Sequence, residues 1–172
     1  MSKIIVKSIA AFAAMAATSS ASAQDPKAGI ARHANTPPGL ILQGVTVPPG
    51  AKMLYLSGQL AAPIDPTRKV AAADLTIADF GDTKTQTISI FTKIEGILAA
   101  QGYAMSDIIK LTVFVAGDPA LDGKMDFAGM NDAFKMYFGT AKNPNTVARS
   151  TVQVAALAGP TFLVEIEATA AK

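Results

Sequence analysis

Apolar and polar positions divide the chain into segments of distinct period. Leu40 to Val47 is rich in branched apolar residues and stops at Pro48-Pro49-Gly50, which predicts a strand and a turn. Lys52 to Ser57 resumes as a second strand, expected to be the hairpin partner of the first. Ile88, Phe91, Ile94 and Leu98 recur at steps of three, three and four before Gly102, the spacing of an amphipathic helix. Thr83, with Gln86 three residues on, fits a capping box at its start. Ile108 to Val115 carries apolar residues on both faces, so a strand covered on both sides is expected. Phe127, Met130, Phe134 and Tyr137 mark a second amphipathic helix ending at Gly139, with the stripe read as core. Arg149 to Ala156 and Phe162 to Thr169 read as two strands joined around Gly159-Pro160. Leu60 to Gly81 is long for a loop, and either covers a site or contains a short helical turn. Gln24 to Pro38 holds Pro26, Pro37 and Pro38 without an apolar period, and reads as an arm.

The resulting order is ββ-α-β-α-ββ, with room for one further strand. It predicts an α+β fold in which two helices pack on one face of a sheet. The apolar residues on the other face need a cover, either loops or neighbouring subunits. An exposed apolar sheet face favours the subunits.

The 172 residues suit one domain. Lys3 and Lys7, the apolar run Ile9 to Ala17 and the small-residue triplet Ala21-Ser22-Ala23 have the layout of a secretory signal peptide. Cleavage near Ala23 and a periplasmic or secreted mature chain are therefore expected. The expected division is a signal peptide at 1–23, an arm at 24–38 and a domain at 39–172. Of the 15 Lys and Arg, Lys3 and Lys7 lie in the leader and no acid does, so the remainder balances the 13 Asp and Glu. A neutral mature chain argues against a nucleic-acid partner or an anionic membrane surface. No stretch has the length and apolarity of a membrane helix. With no cysteine there is no disulfide, thiolate nucleophile or thiolate metal site, and His33 alone makes no histidine cluster. No metal site is expected. His33 itself, among polar residues of the arm, reads as solvated.

The chemistry concentrates in Ala148-Arg149-Ser150-Thr151-Val152-Gln153-Val154 and Phe162-Leu163-Val164-Glu165-Ile166-Glu167-Ala168. If these strands form a hairpin, alternation places Val152, Val154, Val164 and Ile166 on one face, and Arg149, Thr151, Glu165 and Glu167 on the other. The arginine is then either half of a cross-strand ion pair or a planar fork open to an external carboxylate or phosphate.

Ordered motifs bear on that choice. Leu56-Ser57-Gly58-Gln59, Ala100-Gln101-Gly102 with Ser106 to Val115, Asp126-Phe127 through Met130-Asn131 to Tyr137-Phe138, Ala148-Arg149-Ser150, and Val164-Glu165-Ile166-Glu167-Ala168 follow one another. Together they resemble the Rid, or YjgF, family of reactive-intermediate enamine/imine deaminases, from about Leu40 to Ala170. The resemblance implies a chorismate-mutase-like fold, a homotrimer with a central barrel of sheets, and clefts between subunits. It implies hydrolysis of small 2-imino or 2-enamino acids to 2-oxo acids and ammonia, with no cofactor. Arg149 would bind the substrate carboxylate and Glu165 would hold the water. Ser57, Gly58 and Asn131 match pocket positions, and Thr151 would contribute backbone groups near the amine or water. Many members carry a tyrosine in the first strand where alignment on Gln43-Gly44 puts Ile41, so that wall of the pocket is expected to be apolar. The alternative is a non-catalytic periplasmic binder of small 2-oxo acids or other carboxylates, anchored by the same arginine. Ribonuclease activity fits poorly with a neutral chain lacking a basic stripe.

Overall fold

The computed structural model describes residues 29–172, so the expected signal peptide and the first part of the expected arm lie outside the described residues. The elements are β1 (Ala31–His33), β2 (Gly44–Thr46), β3 (Met53–Leu60), α1 (Thr83–Ala100), β4 (Ile108–Ala116), α2 (Phe127–Tyr137), β5 (Ala148–Val154) and β6 (Val164–Ala171). Four strands form one sheet in the order β3-β6-β4-β5, while β1 and β2 make a separate ribbon. β6 runs antiparallel to both its neighbours, and β4 pairs with β5 in parallel, which requires the crossover that α2 supplies. This is the expected α+β class, and the four strands do not close into a barrel within one chain.

Central position explains the apolar row of β4 that faces the helices. Its Leu111, Val113 and Val115 are fully buried against Ile90, Phe91, Ile94 and Leu98 of α1 and Met130 and Phe134 of α2. Phe91 joins the two helices, its ring 4.9 Å from Tyr137 and 5.6 Å from Phe138, spacings at which aromatic pairs attract. The cap of α1 falls one residue earlier than expected: Asp82 accepts from Thr85 N. Gln86 is freed from capping and is fully buried, donating to Gly81 O and Thr161 O and accepting from Leu163 N. Its amide thus ties α1 to the segment leading into β6.

Two further expectations change, and a third is resolved. Residues 40–47 do not pair with the next strand; β2 pairs antiparallel with β1 inside the expected arm. Arg32 secures that arm by donating to Thr146 O at 2.7 Å and Ser106 O at 2.8 Å. Residues 148–154 and 164–171 are not a hairpin, because β4 lies between them. Leu60 to Gly81 does contain short helical turns, at Ala72–Asp74 and Ile77–Asp79. The second is held by Asp79, which caps Thr76 and pairs with Arg68.

The helices cover the sheet face carrying Leu111, Val113, Ile166 and Ala168. On the opposite face Tyr55 is 74 % exposed and Val152 44 % exposed, beside Lys110, Thr112, Ser150, Glu165 and Glu167. His33 is exposed, as expected, with Nε2 2.7 Å from Thr46 Oγ1. No described helix is long and apolar enough to cross a membrane.

Candidate active site

Arg149 is the second residue of β5, opposite Leu111 of β4, which in turn lies opposite Ala168 of β6. That row belongs to the helix-covered face, so the guanidinium enters the space between β5 and α2. There Nη2 donates to Asn131 Oδ1 at 2.7 Å, and the guanidinium carbon lies 4.5 Å from the centre of the Phe134 ring. Met130 Sδ is 3.6 Å from Nη1, and the Phe127 ring lies 5.9 Å away. The cation is therefore held by an amide oxygen, two ring faces and a thioether. Among the described residues it has no carboxylate partner, and the expected alternative of a cross-strand ion pair is not realised.

Half-burial without a compensating anion lowers the Arg149 pKa from its ordinary value to about 10, through desolvation of its charged form. The group still carries its proton at neutral pH. Its Nε is buried without a hydrogen-bond partner, and so is Thr151 Oγ1, which follows on the same face of β5. A cation so placed is prepared for an anion, because fork-like donors are strongest toward a carboxylate in a partly desolvated setting.

α2 delivers these contacts because Asp126 caps its start, accepting from Gly129 N at 2.8 Å. Two turns then carry Phe127, Met130, Asn131 and Phe134 along the side facing β5. Phe127, read from the sequence as core, is 44 % exposed at the helix start. Helical spacing marks it as part of the stripe but says nothing of whether the first turn projects beyond the sheet.

Glu165 lies elsewhere. It pairs with Phe114 and Leu60, and its neighbour Ile166 points into the core, so Glu165 and Glu167 occupy the open face. The expected sharing of one face by Arg149, Thr151, Glu165 and Glu167 does not occur. Alternation holds within each strand, but β4 separates the strands and the parallel register of β5 sets its faces independently. Val152 consequently shares the open face with Glu165 rather than the core with Ile166.

Ser57 and Gly58 lie on β3, beside β6. Both fill a register shift in which two residues of β3 oppose the single Glu167 of β6. Glu165 lies across the α-carbon of Gly58, where an added Cβ would stand 2.7 Å from its Cδ. Gly58→Ala is therefore expected to displace the carboxylate; if Glu165 acts in catalysis, as the resemblance implies, kcat should fall about tenfold or more with little change in KM. Steady-state kinetics on the two proteins checks this, and an unchanged kcat would separate Glu165 from the chemistry.

Ile41 packs against the edge of the core, next to Leu42, which bridges to Ala148 in parallel and donates from its backbone N to Val147 O. In that register Ile41 lies beside Val147, just before the start of β5 and two strand positions ahead of Arg149. A cavity of about 640 Å³ lies beyond the other end of β5, lined by Gly117, Gln153, Ala155 to Pro160 and Phe162 without a charged side chain. It has no anchor for an acid. Among the described residues no three His, Asp or Glu side chains converge as metal ligands.

Fold and motif order now meet an independent comparison. Residues 43–172 match the family model described as Endoribonuclease L-PSP, and the chain belongs to that family, known also as the Rid or YjgF family. It is 38% identical over 120 residues to a RutC family protein of Pyrococcus horikoshii, covering 69% of this chain and 79% of that one. It is 32% identical over 134 residues to the 2-iminobutanoate/2-iminopropanoate deaminase of Salmonella typhimurium, covering 78% of this chain and 88% of the enzyme. A Rid-family protein of Yersinia pestis superposes with a TM-score of 0.57 at 24% identity, over 77% of this chain and 87% of that structure, and supports the fold.

Proposed function

We propose that the protein is a cofactor-independent deaminase that hydrolyses small 2-imino acids, reached directly or from their 2-enamino tautomers, to 2-oxo acids and ammonia. The observation that carries this reading is the half-buried Arg149 guanidinium, backed by Asn131 and Phe134 and left without a carboxylate of its own. The substrate carboxylate supplies the missing anion, which fixes the neighbouring imine carbon. Glu165 then holds a water and takes its proton as the oxygen bonds to that carbon. The C=N electron pair moves to nitrogen, which receives that proton to give the carbinolamine; the carbinol hydroxyl proton then passes through Glu165 to nitrogen, and the C–N bond breaks with loss of ammonia as the C=O forms. Ser57 and Thr151 offer polar contacts at the margins, and Ile41 makes the adjacent wall apolar.

Arg149 and Glu165 occupy opposite faces of one sheet, so the reading needs them from two copies of the chain. The uncovered face bearing Tyr55, Val152 and Glu165 supports assembly through it, and a homotrimer with three shared clefts fits the family resemblance. The leader-like residues 1–23 support export, and the partners proposed are small 2-imino or 2-oxo acids. RNA is disfavoured as substrate because the site offers one cation among phenylalanines, a methionine and an amide.

A second reading has one observation in its favour: within a single chain the anchor stands without the base. On that reading the protein binds 2-oxo acids or other carboxylates and turns nothing over. The two part in an assay that generates 2-imino acids with an amino-acid oxidase and follows their disappearance. The deaminase accelerates the loss. A binder leaves the rate unchanged yet is thermally stabilised by 2-oxo acids through Arg149.

A further inference from the structure

We infer that Gln153, which touches neither Arg149 nor the proposed ligand space, is a positioning residue that sets the direction of the Arg149 guanidinium by fixing where α2 begins. The inference rests on the reading of Arg149 as a carboxylate anchor.

Gln153 lies on β5 four residues after Arg149, in the row of Val115 and Val164, and so on the same helix-covered face. Its carboxamide reaches the segment that precedes α2. Nε2 donates to Gly123 O at 2.8 Å, and Oε1 accepts from Met125 N at 3.1 Å. One planar group thus satisfies a backbone donor and a backbone acceptor two residues apart. The next residue, Asp126, caps the helix, and within its first two turns come Met130, Asn131 and Phe134, which hold the guanidinium.

The segment that Gln153 grips behaves as a unit. Asp118 N donates to Lys124 O and Gly123 N to Asp118 O, closing a tight loop. Gly117 comes so near Gly123 that a Cβ on it would lie 2.8 Å from the Gly123 carbonyl carbon. Such a loop transmits a tether at 123–125 to the helix start instead of absorbing it. α2 is then attached to β5 at two places, through Gln153 ahead of its first turn and through Arg149 to Asn131 beyond it. With the first attachment gone, the contacts from Arg149 to Met130 and Asn131 would be the remaining polar ties described between β5 and the helix.

Gln153 and most of the loop are exposed, so their contribution to the core is small. The effect of losing the tether should appear in acid binding rather than in folding. Gln153→Met preserves length and removes both hydrogen bonds. It is expected to raise the Kd for 2-oxobutanoate, and the KM for the corresponding imino acid, about tenfold, with a much smaller change in kcat. Because both groups act through one guanidinium, Asn131→Ala and the double variant should lose similar affinity, well short of the product of the single effects.

A readout independent of ligand separates this from the deaminase reading. In the wild type the Arg149 Nε–H nuclear magnetic resonance signal lies under the influence of the Phe134 ring, and Gln153→Met should move it while core amide signals stay in place. A shifted signal in a protein that neither binds 2-oxobutanoate nor hydrolyses imines would keep the positioning role and discard the function. An unmoved signal, additive losses in the double variant, or a general collapse of the spectrum with a large fall in Tm would overturn the role of Gln153.

Discussion

Replacing Arg149 by methionine is expected to lower kcat/KM for 2-imino acids at least about a hundredfold, and to abolish stabilisation by 2-oxo acids, without weakening the fold. Most substitutions of a half-buried charged residue destabilise, but this one removes a charge that has no counterion. Its pKa is pushed down to about 10 by burial, so the folded state disfavours the charged form. The resulting penalty is present at every pH below about 10 and is relieved as pH rises from there toward the group's ordinary, higher value. At neutral pH methionine escapes it and still lies against the Phe134 ring, while the partly exposed Asn131 amide turns to water. Screening by the solvent that reaches the guanidinium leaves a net gain of about 1 kcal/mol at most, or roughly 2–4 °C in Tm. Saturating 2-oxo acid, at a hundred times its Kd, should stabilise the wild type by about 2.7 kcal/mol and the variant not at all. Thermal melts with and without the acid read both quantities. A fall of about 3 kcal/mol or more in the unliganded variant would mean that the guanidinium is a structural tie, and that no external acid is needed to explain it. Arg149→Lys, which keeps the charge but loses the planar fork, should recover only part of the activity.

Most of the layer structure was legible because it rests on local periods. Most of the steps in α1 and α2, and the Leu111, Val113 and Val115 side of β4, correspond to surfaces that are in fact buried, whereas Phe127 and the Phe114 side of β4 stay partly open. The strand neighbours were not legible. Period-two alternation says which side chains of one strand share a face; it does not say which strand lies alongside. Reading β5 and β6 as a hairpin was the shortest connection, and the interposed β4 overturned it, carrying Arg149 to the helix side and leaving Glu165 on the other. β1 leaves little trace in the sequence because it is three residues long and its hold on the fold comes from Arg32, more than seventy residues distant in sequence from each of its two acceptors. The pocket residues were recognisable only as a set of ordered motifs. Gln153, which belongs to no such motif, left a single trace in the sequence: it alternates in phase with Arg149 and Thr151.

The separation of Arg149 from Glu165 yields the most discriminating experiment, a mixture of two inactive proteins. Arg149→Ala alone removes the anchor, and Glu165→Gln alone is expected to lower kcat roughly 10²- to 10⁴-fold while leaving KM nearly unchanged, as loss of a general base does. When the two variants are unfolded together at equal amounts and refolded, their chains assort at random. A site built from the arginine of one chain and the glutamate of its neighbour is intact whenever a Glu165→Gln chain supplies the first and an Arg149→Ala chain the second. In a closed ring of like interfaces that holds for roughly a quarter of the sites, so about a quarter of wild-type activity should return from components that show almost none. A site contained within one chain cannot be rescued, since every chain in the mixture lacks one of the two groups. The same mixture held at native pH without unfolding should stay inactive for as long as the subunits do not exchange, which controls for contaminating enzyme. Return of activity would establish both residues as parts of one shared cleft and the open sheet face as the route by which they meet. Its failure, with both variants folded and assembled like the wild type, would detach Glu165 from Arg149 and leave the arginine as an anchor for binding alone.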